Sequence, residues 1–233
     1  TNLITHSEDF SDVVWFKNRL DVSVNSTIAP DGNLTADKLT ETATLGTHNT
    51  FQSGGALGTN LDFTNSIYVK ANGRDWIYLL YFDGVNNFGC YFDIQNGVVG
   101  TADSGVVGKI EESGNGWYRC SIEYKSDNSA TDSRLQINLA TGNGVATYQG
   151  DGTSGVYIWG AQLEQGSYAT SYIPTSGSIG TRDAEVCNNG GNEQVFNDSE
   201  GVLYAEMSAL ASTTDLRYIS LSDNARDNEV LLG

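Results

Sequence analysis

Three stretches of this chain alternate polar or aromatic side chains with apolar ones, in a pattern that suits one kind of chemistry. Tyr91 and Asp93 alternate with Cys90, Phe92 and Ile94. Arg119 alternates with Tyr118, Cys120, Ile122 and Tyr124, and Gln136 and Asn138 alternate with Leu135, Ile137 and Leu139. Successive side chains of a strand point to opposite faces, so the apolar sets turn to a core and the other sets to an open face. Planar guanidinium and amide groups reach sugar hydroxyls two at a time, and an aromatic ring stacks on the apolar face of a pyranose. The expectation is one open face carrying Tyr91, Asp93, Arg119, Gln136 and Asn138. That face is either a carbohydrate-contacting surface or an ordinary polar exterior.

Other chemistry has little support. The chain has no GxSxG, HExxH or P-loop, and no GxGxxG leading into a helix. Neither of its two histidines, His6 and His48, is strand-embedded beside a candidate nucleophile, so a Ser-His-Asp triad is not expected; with only these two histidines and no CxxC, zinc is not expected either. With 29 acidic residues, carboxylate pairs of the glycosidase type stay open. The formal charge is 12 − 29 = −17, a surface that repels phosphate backbones, so nucleic acid is not an expected partner. No run of 18 apolar residues occurs, and membrane insertion by a helix is not expected. The three cysteines, Cys90, Cys120 and Cys187, do not form a disulfide framework. Cys90 and Cys120 are expected as small buried apolar groups, with a cross-strand disulfide between them as the alternative.

The elements that must position these side chains are short strands. Gly counts 27 and Pro only 2, and the chain is rich in turn-forming Asn, Ser and Asp, which is a β composition. Strands are expected near 2–5, 20–28, 35–43, 47–53, 63–71, 75–82, 88–95, 98–103, 107–112, 117–125, 133–140 and 155–164, with a short helical turn within 8–16. Asn96-Gly97 and Asn115-Gly116 separate apolar runs and predict hairpins, the first of type I′. Strand 75–82 is apolar on both faces: Trp76, Tyr78, Leu80 and Phe82 oppose Ile77, Leu79 and Tyr81. It should therefore be covered on both sides, by a loop or by a neighbouring subunit.

Residues 155–174, GVYIWGAQLEQGSYATSYIP, describe a strand, a Gly-bearing turn and an extended exit. With Asn2-Leu3-Ile4, Ser7–Phe10, Trp15, Ala29–Gly32, Thr35–Leu39 and Gly114–Cys120, this stretch resembles a carbohydrate-binding-module-like jelly roll of bacteriophage tail fibres and other virion appendages. The resemblance implies an all-β fold, an antiparallel jelly-roll β-sandwich over residues 1–174. Residues 175–200 read as a linker. Residues 201–233 resemble the incomplete start of a laminin-G or concanavalin-like β-sandwich.

The resemblance further implies a non-enzymatic attachment module with weak affinity for host-surface glycan. The alternatives are a structural adaptor that anchors a distal lectin-like domain, or an accessory module of a secreted bacterial polysaccharide-degrading enzyme. It implies a homo-oligomer, a trimer, among other virion structural proteins, in a virion assembled in the host cytoplasm or otherwise extracellular. It also implies calcium, held by Asp9, Asp37 and Glu164, because calcium takes several oxygen ligands.

Overall fold

A computed structural model describes residues 1–55, 58–126 and 133–183, and the backbone of 219–222 and 229–232. The strands of the first compact unit, Thr1–Arg182, are β1 (Phe16–Asn18), β2 (Leu20–Thr27), β3 (Ala36–Glu41), β4 (Leu45–Thr47), β5 (Asn49–Gly55), β6 (Asp62–Asn72) and β7 (Trp76–Phe82). They continue as β8 (Asn87–Asp93), β9 (Val98–Ala102), β10 (Val107–Glu112), β11 (Tyr118–Lys125), β12 (Ser133–Ala140), β13 (Thr147–Gln149) and β14 (Gly155–Gln165).

Two six-stranded antiparallel sheets result, in the orders β1-β5-β12-β7-β8-β9 and β10-β11-β6-β14-β3-β2. The central strands pair as β3 with β14, β5 with β12, β6 with β11, and β7 with β8. This nesting is a single long hairpin rolled up so that its successive pairs alternate between the sheets, which is the topology of a jelly roll. This unit is therefore an all-β antiparallel sandwich.

Alternation builds the core as expected. Phe92, Cys120, Ile122, Leu135 and Ile137 are fully buried between the sheets, together with Ile67, Ile77, Leu79 and Ile158. Cys90 and Cys120 are free thiols in this layer. The N-terminal segment seals one end. Phe10 and Trp15 pack at 4.8 Å, and the Trp15 indole donates to the His6 carbonyl at 2.8 Å. Residues 8–16 form turns rather than a helical turn, and residues 2–5 are not a strand. Asn2 bridges to Gly180 and His6 to Ser176 instead, while the Thr1 and Thr181 hydroxyls lie 3.0 Å apart. Residues 175–182, read from composition as the start of a linker, thus run back along the N-terminus.

Elsewhere in the sandwich, the buried Glu41 carboxylate accepts from the Arg74 guanidinium, from the Tyr148 hydroxyl at 2.7 Å and from the Asp151 amide at 2.8 Å. The second unit, Asp183–Gly233, contributes β15 (Ile219–Ser222) and β16 (Glu229–Leu232), an antiparallel pair. Cys187 and the first part of the 201–233 segment, up to residue 218, lie outside the described residues.

The two Asn-Gly turns differ. Asn115 and Gly116 both take positive φ, 53° and 79°, as a type I′ turn demands. At Asn96-Gly97 only the glycine does, and β8 ends at Asp93, so four residues link β8 to β9. Asp93 organises that loop. Its carboxylate accepts from the Gln95 and Asn96 amides and from the Asn96 side chain, and its carbonyl accepts from Gly97 N. An Asp side chain that captures backbone donors locally outcompetes the tight hairpin.

Candidate functional site

The five residues expected on one face divide between two. Tyr91, Asp93, Gln136 and Asn138 belong to the first sheet, Arg119 to the second. The outer faces of a sandwich look in opposite directions, so Arg119 cannot share a ligand with the other four. Alternation within a strand assigns inside and outside but not which sheet the strand joins. Arg119 instead donates to the Ser66 hydroxyl at 3.0 Å and the Thr170 carbonyl at 2.7 Å, with its guanidinium 5.4 Å from the Tyr68 ring centroid. It pins the exit peptide onto the second sheet.

On the first sheet the outward side chains of β7 and β8 form an aromatic platform. Tyr78 and Tyr91 are register partners and stack with centroids 4.3 Å apart at 19°. The Tyr78 ring occupies space left free by Gly89, its diagonal neighbour on β8. A Cβ there would sit 2.5 Å from two Tyr78 ring carbons. Gly100 plays the same part for Trp76: a Cβ would fall 2.8 Å from the Trp76 ring and 3.0 Å from Tyr91 Cβ. Asp103 locks the arrangement by accepting from the Tyr78 hydroxyl at 2.5 Å and from Gly89 N at 2.9 Å. Burial, reinforced by the Asp103 carboxylate, pushes both phenols above the usual tyrosine range, so each keeps its hydroxyl proton.

Polar groups adjoin the platform on β12. The Gln136 amide donates to Asn138 Oδ1 at 2.7 Å, and the Asn138 amide donates to the Tyr78 carbonyl at 3.1 Å. Asn138 is only 3% exposed, so it orients Gln136 rather than meeting solvent. Asp93 is engaged in its own loop. Further along, the Arg134 guanidinium sits 4.5 Å from the Phe51 ring and 5.3 Å from the Phe82 ring. The outer side of β7, expected to need a loop or a neighbour, is thus largely covered by side chains of its own sheet; Leu80 is 5% exposed.

Trp76, Tyr78, Gly89, Gly100 and Asp103 are not among the residues that the sequence placed on the carbohydrate-contacting face. The aromatic alternation of 75–82 was the available signal for the first two. For the glycines and Asp103 there was none, because their role depends on partners in neighbouring strands and on loop placement.

The arrangement presents half-buried aromatic rings beside an oriented amide, on rigid strands, which suits weak binding of a hydroxyl-rich ring. A cleft of about 630 Å³ beside Thr1, Leu3 and Asn60, and another of about 310 Å³ beside His6, Glu8 and Asp9, contain none of these residues.

The carboxylates expected to hold calcium do not converge. Asp37 pairs with Ile158, whereas Glu164 lies six residues further along β14 opposite Thr64, about 20 Å away at strand rise. Asp37 accepts from Phe10 N and Asn25 N at 3.0 Å each, and burial holds its pKa above the usual carboxylate range. Glu164 accepts from Thr170 N, the Thr170 hydroxyl and the Gln162 amide. Asp9 accepts from Ser11 and Asp12, chiefly the Ser11 hydroxyl, which helps hold its pKa low. Among the described residues no group of three or more His, Cys, Asp or Glu is arranged to hold a metal ion. These carboxylates fit structural hydrogen bonding and not a shared calcium site.

No family model matches the chain, and no curated protein matches it. Eighteen solved chains match in structure. The enzymatically active domain of bacteriophage CBA120 tailspike protein 4 is 13% identical with a TM-score of 0.44, and the match covers 70% of this chain but 21% of that one. TmCBM61 in complex with beta-1,4-galactotriose is 11% identical at 0.43, over 71% of this chain and 99% of that one. The CBM22-1 xylan-binding domain of Paenibacillus barcinonensis Xyn10C is 13% identical at 0.44, over 72% and 97%. The jelly-roll assignment rests on the strand order itself. No helix among the described residues is long and apolar enough to cross a membrane.

Proposed function

We propose that this chain is a non-catalytic glycan-binding module that attaches a larger particle or protein to a polysaccharide-bearing surface. The observation that carries the reading is the Trp76–Tyr78–Tyr91 platform, laid against Gly89 and Gly100, tied down by Asp103 and flanked by Gln136. Sugars offer many hydroxyls and little apolar area, so recognition needs a stacking surface beside fixed polar groups. Strand-borne groups lose little further entropy on binding. Single-site affinity is expected to be weak, on the order of tens of micromolar to millimolar, with repeated copies supplying useful avidity. The resemblance read from residues 155–174 supports a virion appendage as the setting, with homo-oligomeric assembly as the source of those copies. Binding of the full chain to a printed polysaccharide array tests the proposal. Retention that disappears in Tyr91→Ala and Trp76→Ala, with the melting temperature nearly kept, supports it. Absence of any retained polysaccharide leaves the adaptor reading, and retention of a neutral polysaccharide unchanged in both variants rejects this face.

A further inference from the structure

The outer face of the second sheet carries a row unlike the rest of this acidic molecule. Lys38 on β3, Tyr157 on β14 and Lys70 on β6 are successive register partners. All three point away from the core, since their neighbours Leu39, Val156, Ile158 and Val69 are fully buried in it. At strand spacing the two lysine Cα atoms lie about 10 Å apart, with the tyrosine midway.

All three side chains are half-buried. Asn72 donates to the Tyr157 hydroxyl at 3.1 Å and so fixes the tilt of its ring. Among the described residues the ion pairs are His6–Asp12, Arg74 with Glu41 and Asp151, Lys109–Glu123 and Lys125–Asp62; Lys38 and Lys70 enter none. In a chain with 29 acids against 12 bases, two ammonium groups outside any ion pair beside one aromatic ring stand out; Asp21, opposite Thr40 on the edge strand, is the acid diagonal to Lys38. The neighbouring row, Trp159–Tyr68–Arg119, with Ala36 packed in the same cluster as Trp159, is closed over by the chain: the Trp117 indole donates to the Ile28 carbonyl, and Tyr172 packs on Trp159 at 4.5 Å.

We propose that Lys38, Tyr157 and Lys70 form a second saccharide site, selective for an acidic sugar of the uronate class. The sugar ring stacks on Tyr157, and its carboxylate, or that of the next residue along the chain, meets Lys38 or Lys70 on either side. Charge complementarity selects the occupant: an ammonium group gives a neutral sugar no special advantage, whereas a carboxylate neutralises it. The site faces away from the Trp76–Tyr78–Tyr91 platform and does not depend on it.

The test uses polygalacturonate and its methyl ester, which share a backbone and differ in charge, in affinity electrophoresis of the full chain. Polygalacturonate should retard the wild type, and the methyl ester should retard it clearly less. Lys38→Gln with Lys70→Gln should weaken the polygalacturonate interaction about fivefold, the scale of two exposed ion pairs. Tyr91→Ala should leave it unchanged. A check of the melting temperature of the double variant separates loss of binding from loss of fold. Equal retardation by ester and acid, no retardation of the wild type, or an undiminished effect in a folded double variant overturns the proposal. So does concentration-dependent self-association that vanishes in the double variant, which assigns the strip to a second copy of the chain.

Discussion

Replacing Gly89 with alanine probes the packing that builds the platform. The new Cβ would lie 2.5 Å from Tyr78 Cε2 and Cζ and 2.6 Å from its hydroxyl oxygen. Carbon atoms rest at about 3.5–4.0 Å, so the ring must move by about 1 Å or more. It has little freedom to do so: Tyr91 stacks on it at 4.3 Å, and Asp103 holds its hydroxyl at 2.5 Å. A shift of that size takes the hydrogen bond out of range. Loss of a bond to a charged acceptor costs about 1.5–3 kcal/mol and overpacking about 1–3 kcal/mol, overlapping penalties that together give about 2–4 kcal/mol.

For a domain of this size that corresponds to a fall in Tm of about 5–15 °C. In Tyr78→Ala the obstructing ring is gone, so adding Gly89→Ala should cost almost nothing further. Reversible urea denaturation of the four proteins should yield a coupling energy of about 2–4 kcal/mol. Additivity within about 0.5 kcal/mol would refute the reasoning, because it would mean that the alanine does not strike this ring.

Arg119→Ala should lower stability by about 1–3 kcal/mol, since it frees the Thr170 carbonyl and loosens the exit peptide, and should leave array binding by the first sheet intact. Urea denaturation and the polysaccharide array check the two halves. Glu41→Gln should destabilise by about 3 kcal/mol, because it leaves Arg74 half-buried beside a neutral amide. Burial alone would raise the Glu41 pKa, but Arg74, Tyr148 and the Asp151 amide outweigh it and hold the group low. A depressed acid contributes stability that is complete above its unfolded pKa, about 4.3, and is lost as pH falls through the folded value. Wild-type stability should therefore decline below about pH 4, and by less in Glu41→Gln. Burial pushes the Cys90 thiol up to about 11 and Cys120 well above its ordinary value, so neither should react with an aromatic disulfide reagent at pH 8 until urea unfolds the chain.

The fold was legible in the sequence because period-two alternation in 90–94, 118–124 and 135–139 is a local property that burial obeys directly. Eleven of the twelve expected strands form, and residues 2–5 fail because that segment docks by side chains and isolated bridges. The short strands β1, β4 and β13, of three residues each, carry too little pattern to be read. The candidate site was half legible. Tyr91 and Gln136 follow from alternation. Arg119 was misplaced because sheet membership depends on non-local pairing. Asn138 was taken as exposed, although its amide is spent on the Tyr78 carbonyl of the neighbouring strand. Asp103 and Gly89 acquire their roles only when β7, β8 and the loop after β9 meet.

The central claim is that glycan binds the outer face of the first sheet. It is tested most directly by the indole N–H signals of the four tryptophans in a ¹H–¹⁵N spectrum, titrated with the neutral polysaccharide fragment retained best on the array. Trp15, Trp117 and Trp159 are buried at 1%, 2% and 5% exposure, whereas Trp76 is partly exposed on the platform. Saturable movement of the Trp76 signal, with backbone shifts confined to β7, β8 and β12 and the other three indoles still, is the predicted result. Movement of the Trp117 or Trp159 signal with Trp76 unmoved would place the ligand on the opposite sheet and contradict the account.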